Sequence, residues 1–229
     1  MTDRTPRTFN HFTVVTFTPS YWALPAAERG SIRQAWLDEL AAASASIHLY
    51  QTFAASSAGD LLIWCAVHEH DPTAPGRFFE TCARATAPAR PYVTVNRTLW
   101  GFTRPSPYTK VRSASEMDPF GSDRLPYIIM YPFVKTPAWY LEERSERQAM
   151  MAEHMKIGKQ FADVRQLLLY SFGLQDQEFV VVYETHDLTR FLDLVEQLRG
   201  TEARLYTQRD TPLHLGVHQS DADALARWL

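Results

Sequence analysis

Hydrophobic and polar positions alternate or recur along this chain so as to predict the same series of elements twice. Phe12 to Phe17 alternates as a strand does, and Pro19-Ser20-Tyr21-Trp22-Ala23-Leu24-Pro25 leads into a helix expected from about Ala26 to Ala43. Ile32, Trp36, Leu37 and Leu40 fall on one face of that helix. Strands at Ile47 to Phe53 and Leu61 to Val67 flank the turn-forming Ala55-Ser56-Ser57-Ala58-Gly59-Asp60. A helix over roughly Ala74 to Ala87 and a strand over Tyr92 to Phe102 complete the order β-α-β-β-α-β.

Thr103 to Pro126 holds no sustained period and is rich in Pro, Ser and charge, so it reads as a connector or a lid over a site. The pattern then restarts. Strand Tyr127 to Val134, helix Trp139 to Lys159, strands Val164 to Phe172 and Phe179 to Tyr183, helix Leu188 to Arg199 and one or two strands within Ala203 to Val217 are expected, with a short helix from Asp221 to Leu229. Pro19 precedes Glu28-Arg29 at the spacing with which Pro137 precedes Glu146-Arg147, and Asp60 precedes His70-Asp71 as Asp176 precedes His186-Asp187. Aromatic pairs, Tyr21-Trp22 and Trp139-Tyr140, follow the two prolines. Joint spacing of this kind predicts an internal duplication of a ferredoxin-like unit. The expected organisation is an α+β fold of tandem ferredoxin-like domains, antiparallel sheets with helices outside: 1–110, a connector at 111–126, and 127–229. Two such halves would join their sheets, and strands at the outer edges would invite oligomerisation.

Composition narrows the class. The chain has 229 residues, 45% hydrophobic and 21% charged, enough to bury a core without staples. Cys65 and Cys82 have no Cys-x-x-Cys spacing and sit among apolar residues, which fits a reducing cytoplasm rather than a disulfide framework. Met1-Thr2-Asp3-Arg4-Thr5-Pro6-Arg7 leads into no uninterrupted apolar segment, so an export signal is not expected. A net charge of −3 leaves no basic footprint for nucleic acid, and no apolar run is long enough to span a bilayer.

The motifs for nucleotide loops and hydrolase elbows are missing, and the eight histidines include no His-Glu-x-x-His pair. His154 stands apart on a helix whose Met150, Met151, Met155 and Ile157 are expected to face a core, with Gly158 close by. A single imidazole in apolar walls suits haem iron, although a satisfied structural histidine would look the same. Gln166 interrupts an apolar strand. Buried there, its amide needs partners or costs about 1–3 kcal/mol, so it either hydrogen-bonds an oxygen species or ties down a loop. Tyr131 ends a strand with Lys135 four residues on, a redox-active phenol and a cation able to hold a carboxylate; a core aromatic and a solvated lysine are the plain alternative.

Tyr131-Pro132-Phe133-Val134-Lys135, Trp139-Tyr140-Leu141, Met151-Ala152-Glu153-His154 and Ser171-Phe172-Gly173-Leu174-Gln175-Asp176-Gln177-Glu178-Phe179 together resemble the chlorite dismutase-like superfamily, and most closely its coproheme decarboxylase branch. The similarity is strongest from Tyr127 to Gly216. It implies two ferredoxin-like domains per subunit, a homo-oligomeric ring that is usually a homopentamer, and an iron porphyrin in the C-terminal domain. Position by position, His154 matches the axial iron ligand, Tyr131 the tyrosine that becomes a radical, and Lys135 the lysine that positions the reacting propionate. Gln166 falls where chlorite dismutases carry a distal arginine, and Glu202 is a match for the acid that orients the ligand histidine. The implied reaction is peroxide-dependent decarboxylation of two propionates of coproheme to haem b. The rivals are chlorite dismutation, which an uncharged Gln166 serves poorly, and non-catalytic haem binding as a sensor or carrier. Arg104, Arg112 and Arg124 in the connector are candidates for further propionates, or belong to a solvated loop.

Overall fold

In the computed structural model, which describes residues 7–109, 115–220 and 222–229, each run of elements forms and the two close into one barrel. The first run is β1 (Thr8–Phe17), a single turn α1 (Pro19–Trp22), α2 (Ala26–Ala42), β2 (Ser46–Gln51), β3 (Leu61–His68), α3 (Ala74–Thr86) and β4 (Val93–Phe102). The second is β5 (Tyr127–Lys135), α4 (Pro137–Leu141), α5 (Arg144–Gly158), β6 (Arg165–Tyr170), β7 (Phe179–Thr185), α6 (Leu188–Arg199), β8 (Thr207–Arg209), β9 (His214–Gln219) and α7 (Ala222–Ala226). One turn of 3₁₀ helix follows α5 at Lys159–Phe161 and another precedes β8 at Glu202–Tyr206.

Strands order as β4-β1-β3-β2 in one half and β6-β7-β5-β9 in the other, all antiparallel, which is the ferredoxin-like order twice. The expectation of free outer edges does not hold. β2 pairs with β9 along Leu49 to Gln51, β4 meets β6 at the Phe102–Tyr170 pair, and β5–β7 completes the ring. Each half covers the other's edge, which is how a barrel removes the hazard of an exposed strand.

Because strand side chains alternate, the sheet carries two cores. Phe12, Val14, Tyr50, Leu62, Trp64, Leu99, Ile128, Met130, Leu167, Leu169, Val180 and Val182 fill the lumen. Phe9, Val15, Phe17, Leu61, Ile63 and Cys65 point outward under α2 and α3, joined by Tyr21, Trp36 and Phe78. Leu225 and Leu229, at the C-terminal end of the chain, also pack into this outer core of the first half.

The β4–β6 join is splayed, and the connector fills it. Gln166 N–H donates to Ser115 O at 2.8 Å and Met117 N–H to Gln166 O at 2.9 Å, a parallel bridge that carries the Met117 side chain into the lumen. Arg124 follows it inward. Its Nη1 lies 3.6 Å from Glu184 Oε1, with the two side chains 3% and 0% exposed, and its guanidinium sits 5.3 Å from the Trp64 ring. Glu184 Oε1 also accepts Tyr50 O–H at 2.8 Å. Just before Phe102 on β4, Gln175 stands in for a strand: Trp100 N–H donates to its Oε1 at 3.0 Å and its Nε2 donates to Thr98 O at 3.2 Å.

Candidate functional site

The outer face of the second half carries the residues singled out in the sequence. Antiparallel register sets them in rows across β6, β7 and β5: Gln166 opposite Tyr183 opposite Ile129, then Leu168, Val181 and Tyr131, then Tyr170, Phe179 and Phe133. In the first row Ile129 and Tyr183 are covered, packing with Phe161, Phe191 and Leu194 from the last turns of the α5 region and from α6, while Gln166 at the end of the row is not. The last row is an aromatic ledge, with Phe172 centred 4.9 Å from Phe179 and Tyr170 5.4 Å from Phe179.

Between them the sheet is open. Leu168 is 42% exposed and Phe172 likewise 42%. Gln166 is exposed as well, which corrects the expectation of a buried amide: Leu167 and Leu169 take the lumen, so the residues between them must face out. Its backbone, not its side chain, is what the connector ties down.

α5 lies over this face without sinking into it. α2 buries Arg33, Trp36, Leu37 and Leu40, whereas α5 buries Met150, leaving Met151, Met155 and Ile157 half-buried against expectation. Trp36 follows Pro19 at the spacing with which His154 follows Pro137. The duplicated position is thus a core tryptophan in one half and an imidazole in the other. His154 stands between Met150 and Met151, which pack with Trp139, and Ile157, which packs toward the sheet. Burial, then the charge of Lys135, holds it down to about 4 against an opposing pull from Glu153, so at neutral pH the ring is uncharged, as a metal ligand must be.

Lys135 is buried at the end of β5. Its Nζ donates to Ala203 O at 2.8 Å and lies 4.2 Å from the Trp139 ring centre. Burial and then Arg204 bring it down to about 8, with Glu178 opposing. Glu178 Oε2 in turn accepts the Lys135 backbone N–H at 2.8 Å and Tyr140 O–H at 2.5 Å. Lys135 therefore shares its surroundings with His154, while along β5 it is about 13 Å from Tyr131. Tyr131 and Gln166 belong to the other group, flanking Tyr183. The Tyr131 and Tyr183 rings stack with centroids 6.2 Å apart at 29°, and burial followed by Tyr183 pushes the Tyr131 phenol well above its ordinary range.

Of the remaining candidates, Arg104 lies 4.7 Å from the Tyr170 ring at the rim of the open face, Arg124 is committed to Glu184, and Arg112 lies outside the described residues. Glu202 meets α5 through its backbone N–H, which donates to Glu153 Oε2 at 3.1 Å. Tyr183 was not singled out in the sequence, where it reads as one more residue of an apolar strand; its place between Gln166 and Tyr131 follows from a register that sequence does not reveal. Among the described residues no group of three or more His, Cys, Asp or Glu could hold a bare metal ion, and no helix is long and apolar enough to cross a membrane. One neutral imidazole, an uncovered apolar face and cations at its rim suit a broad ligand of the iron porphyrin kind.

A coproheme decarboxylase of Mycolicibacterium smegmatis is 30% identical over 184 residues, covering 78% of this chain and 75% of that protein. The chlorite dismutase of Candidatus Nitrospira defluvii in complex with imidazole superposes with a TM-score of 0.80 at 22% identity, over 96% of this chain and 94% of the other. A variant of that enzyme in complex with cyanide gives 0.81 at 21% over the same shares. The tandem ferredoxin-like α+β fold is common to them. The family model for chlorite dismutase matches residues 24–219. The chain belongs to the chlorite dismutase family.

Proposed function

We propose that the protein is a coproheme decarboxylase, removing carbon dioxide from two propionates of iron coproporphyrin III with hydrogen peroxide to give haem b. The observation that carries the reading is a neutral imidazole on α5 together with a partly uncovered apolar outer face on the sheet of the same half. The similarity to the Mycolicibacterium smegmatis decarboxylase supports it. His154 would hold the iron, and when bound the iron porphyrin supplies the oxidising power once peroxide reaches it. Each propionate that becomes a vinyl group and carbon dioxide gives up two electrons and one proton, which with one proton from solvent reduce one peroxide to two waters.

The chain's own groups supply geometry and charge. Tyr131, protonated because burial disfavours phenolate, can yield a hydrogen and then take one from the β-carbon of a propionate. Lys135 keeps most of its charge at pH 7, and its ammonium, which donates to Ala203 O, would turn from that carbonyl to give an anionic propionate a charge-assisted hydrogen bond. Gln166 presents an uncharged amide toward the open face. A cation there would better retain a leaving hypochlorite, so chlorite dismutation is the weaker reading. Ferric coproheme with peroxide should give a three-propionate intermediate and then haem b by mass spectrometry. Tyr131→Phe should stop conversion while porphyrin absorbance still titrates. Rapid oxygen release from chlorite with coproheme unchanged would reject the proposal.

A further inference from the structure

Glu178 stands where two strands of the second half part. The pairing of β5 with β7 closes at Phe133 opposite Phe179, and the Glu178 N–H still reaches Phe133 O at 3.2 Å. Alternate residues of a strand turn their amides to the same neighbour, so the next N–H to face that side is that of Lys135, and β7 has no residue left to meet it. The Glu178 side chain meets it instead, Oε2 accepting the Lys135 N–H at 2.8 Å. The same oxygen accepts Tyr140 O–H at 2.5 Å, so one carboxylate joins the start of β7, the end of β5 and α4.

The first half carries the same device without the lysine. Phe17 stands two residues before Pro19 as Lys135 stands two before Pro137, and Asp60 immediately precedes β3 as Glu178 precedes β7. Asp60 Oδ2 accepts the Phe17 N–H at 2.7 Å, and the Asp60 N–H donates to Val15 O at 2.7 Å. There the carboxylate caps a sheet. In the second half the capped residue carries a cation, and a register shift between Val134 and Lys135 re-aims its side chain. Nζ lies 4.2 Å from the Trp139 ring centre and donates to Ala203 O at 2.8 Å.

We propose that Glu178 is the positioning residue for Lys135, its carboxylate fixing the amide from which the lysine side chain departs and tying that point to the helix that carries Trp139. When Nζ turns from Ala203 O to a propionate, the backbone beneath it stays anchored, so the ammonium swings from a fixed point. The carboxylate also opposes the burial and the Arg204 charge that draw the Lys135 proton away, while His154, which shares these surroundings, is uncharged. This rests on the decarboxylase reading only for the use made of Lys135, not for the anchoring itself.

The test starts on the protein alone. Glu178→Gln keeps an oxygen able to accept both bonds and removes the charge. Followed by NMR of labelled lysine, with the Lys135 signal identified by its loss in Lys135→Arg, the titration midpoint of about 8 should fall so that the proton is held about threefold to tenfold less tightly. Asp60→Asn makes the same change at the first-half counterpart and should leave the Lys135 midpoint unmoved. A midpoint unmoved in Glu178→Gln, or moved as far by Asp60→Asn, would overturn the proposal. In the loaded protein at about pH 6.5, where the ammonium is mostly kept in either case, Glu178→Ala should slow propionate loss at saturating coproheme about tenfold or more, and Asp60→Ala should not. Equal slowing by both would mark a sheet cap and nothing more, and would also overturn it. A parent protein that leaves coproheme unchanged would sink the decarboxylase reading alone, since the lysine titration is read without porphyrin.

Discussion

Replacing Glu184 by Leu would leave a guanidinium in the lumen with no anion beside it. The side chains of Arg124 and Glu184 are 3% and 0% exposed, so solvent cannot take over. Removing one partner of such a pair costs about 3–5 kcal/mol, and Tyr50 O–H loses its acceptor as well, a further loss of roughly 1–3 kcal/mol. For a chain of this size each kcal/mol lowers the melting temperature by about 2–4 °C, so the midpoint should fall by roughly 10 °C or more. Arg124→Met combined with Glu184→Leu should recover most of the loss, because well-packed apolar groups replace a buried pair at little cost, leaving Tyr50 to account for the remainder. Urea unfolding followed by tryptophan fluorescence, run as a double-mutant cycle, reads both numbers. A single-variant loss below about 1 kcal/mol, or a double variant less stable than Glu184→Leu, would refute the view that the pair acts as a clasp.

Acid should destabilise the protein between about 6.5 and 4. His11, His48, His154 and His214 are each lowered from 6.5 to about 4 chiefly by burial, so the unfolded chain takes up protons in that window that the folded one refuses. Unfolding free energies at pH 7, 6 and 5 should fall with more than one proton bound per molecule. Any step that depends on the Lys135 ammonium should decline as pH rises through about 8, and Lys135→Arg should abolish that decline in a pH–rate profile. Gln166→Ala should leave the melting point unchanged, within about 0.5 kcal/mol, since the side chain is exposed, while altering the peroxide-dependent rate. Met117→Ala should cost about 2–5 kcal/mol through the lumen cavity it opens, measurable by the same urea titration.

Local signals made some elements legible in the sequence. α6 spans Leu188–Arg199 as expected, because Asp187 caps it by accepting Thr189 N–H at 2.8 Å and Gly200 follows its end. The helix expected over Trp139 to Lys159 instead splits, with Glu142 and Glu143 extended between α4 and α5; no proline or glycine announces that break. The one or two strands expected within Ala203 to Val217 appear as β8 and β9, but they start late, since the first residues of that stretch form a 3₁₀ turn packed against Trp139 and Met150. At the site, residue type draws attention to His154 and Tyr131 in the sequence, and the roles proposed for them come from the resemblance. The outward aspect of Gln166 was not, because which face of β6 is the lumen depends on barrel closure. Tyr183 and Tyr131, 52 positions apart, and Arg124 and Glu184, 60 apart, meet only through the closed fold, which the sequence does not display.

Gln175 also bears on how the molecule behaves in a crowd. By holding Thr98 and Trp100 with a side-chain amide, it occupies the donor and acceptor that a visiting chain would need, yet has no further peptide to offer beyond them. A growing fibril template is thus terminated at that stretch by a single removable group, and concentrated solutions of a Gln175→Ala protein would be where an increased tendency to self-associate first became visible.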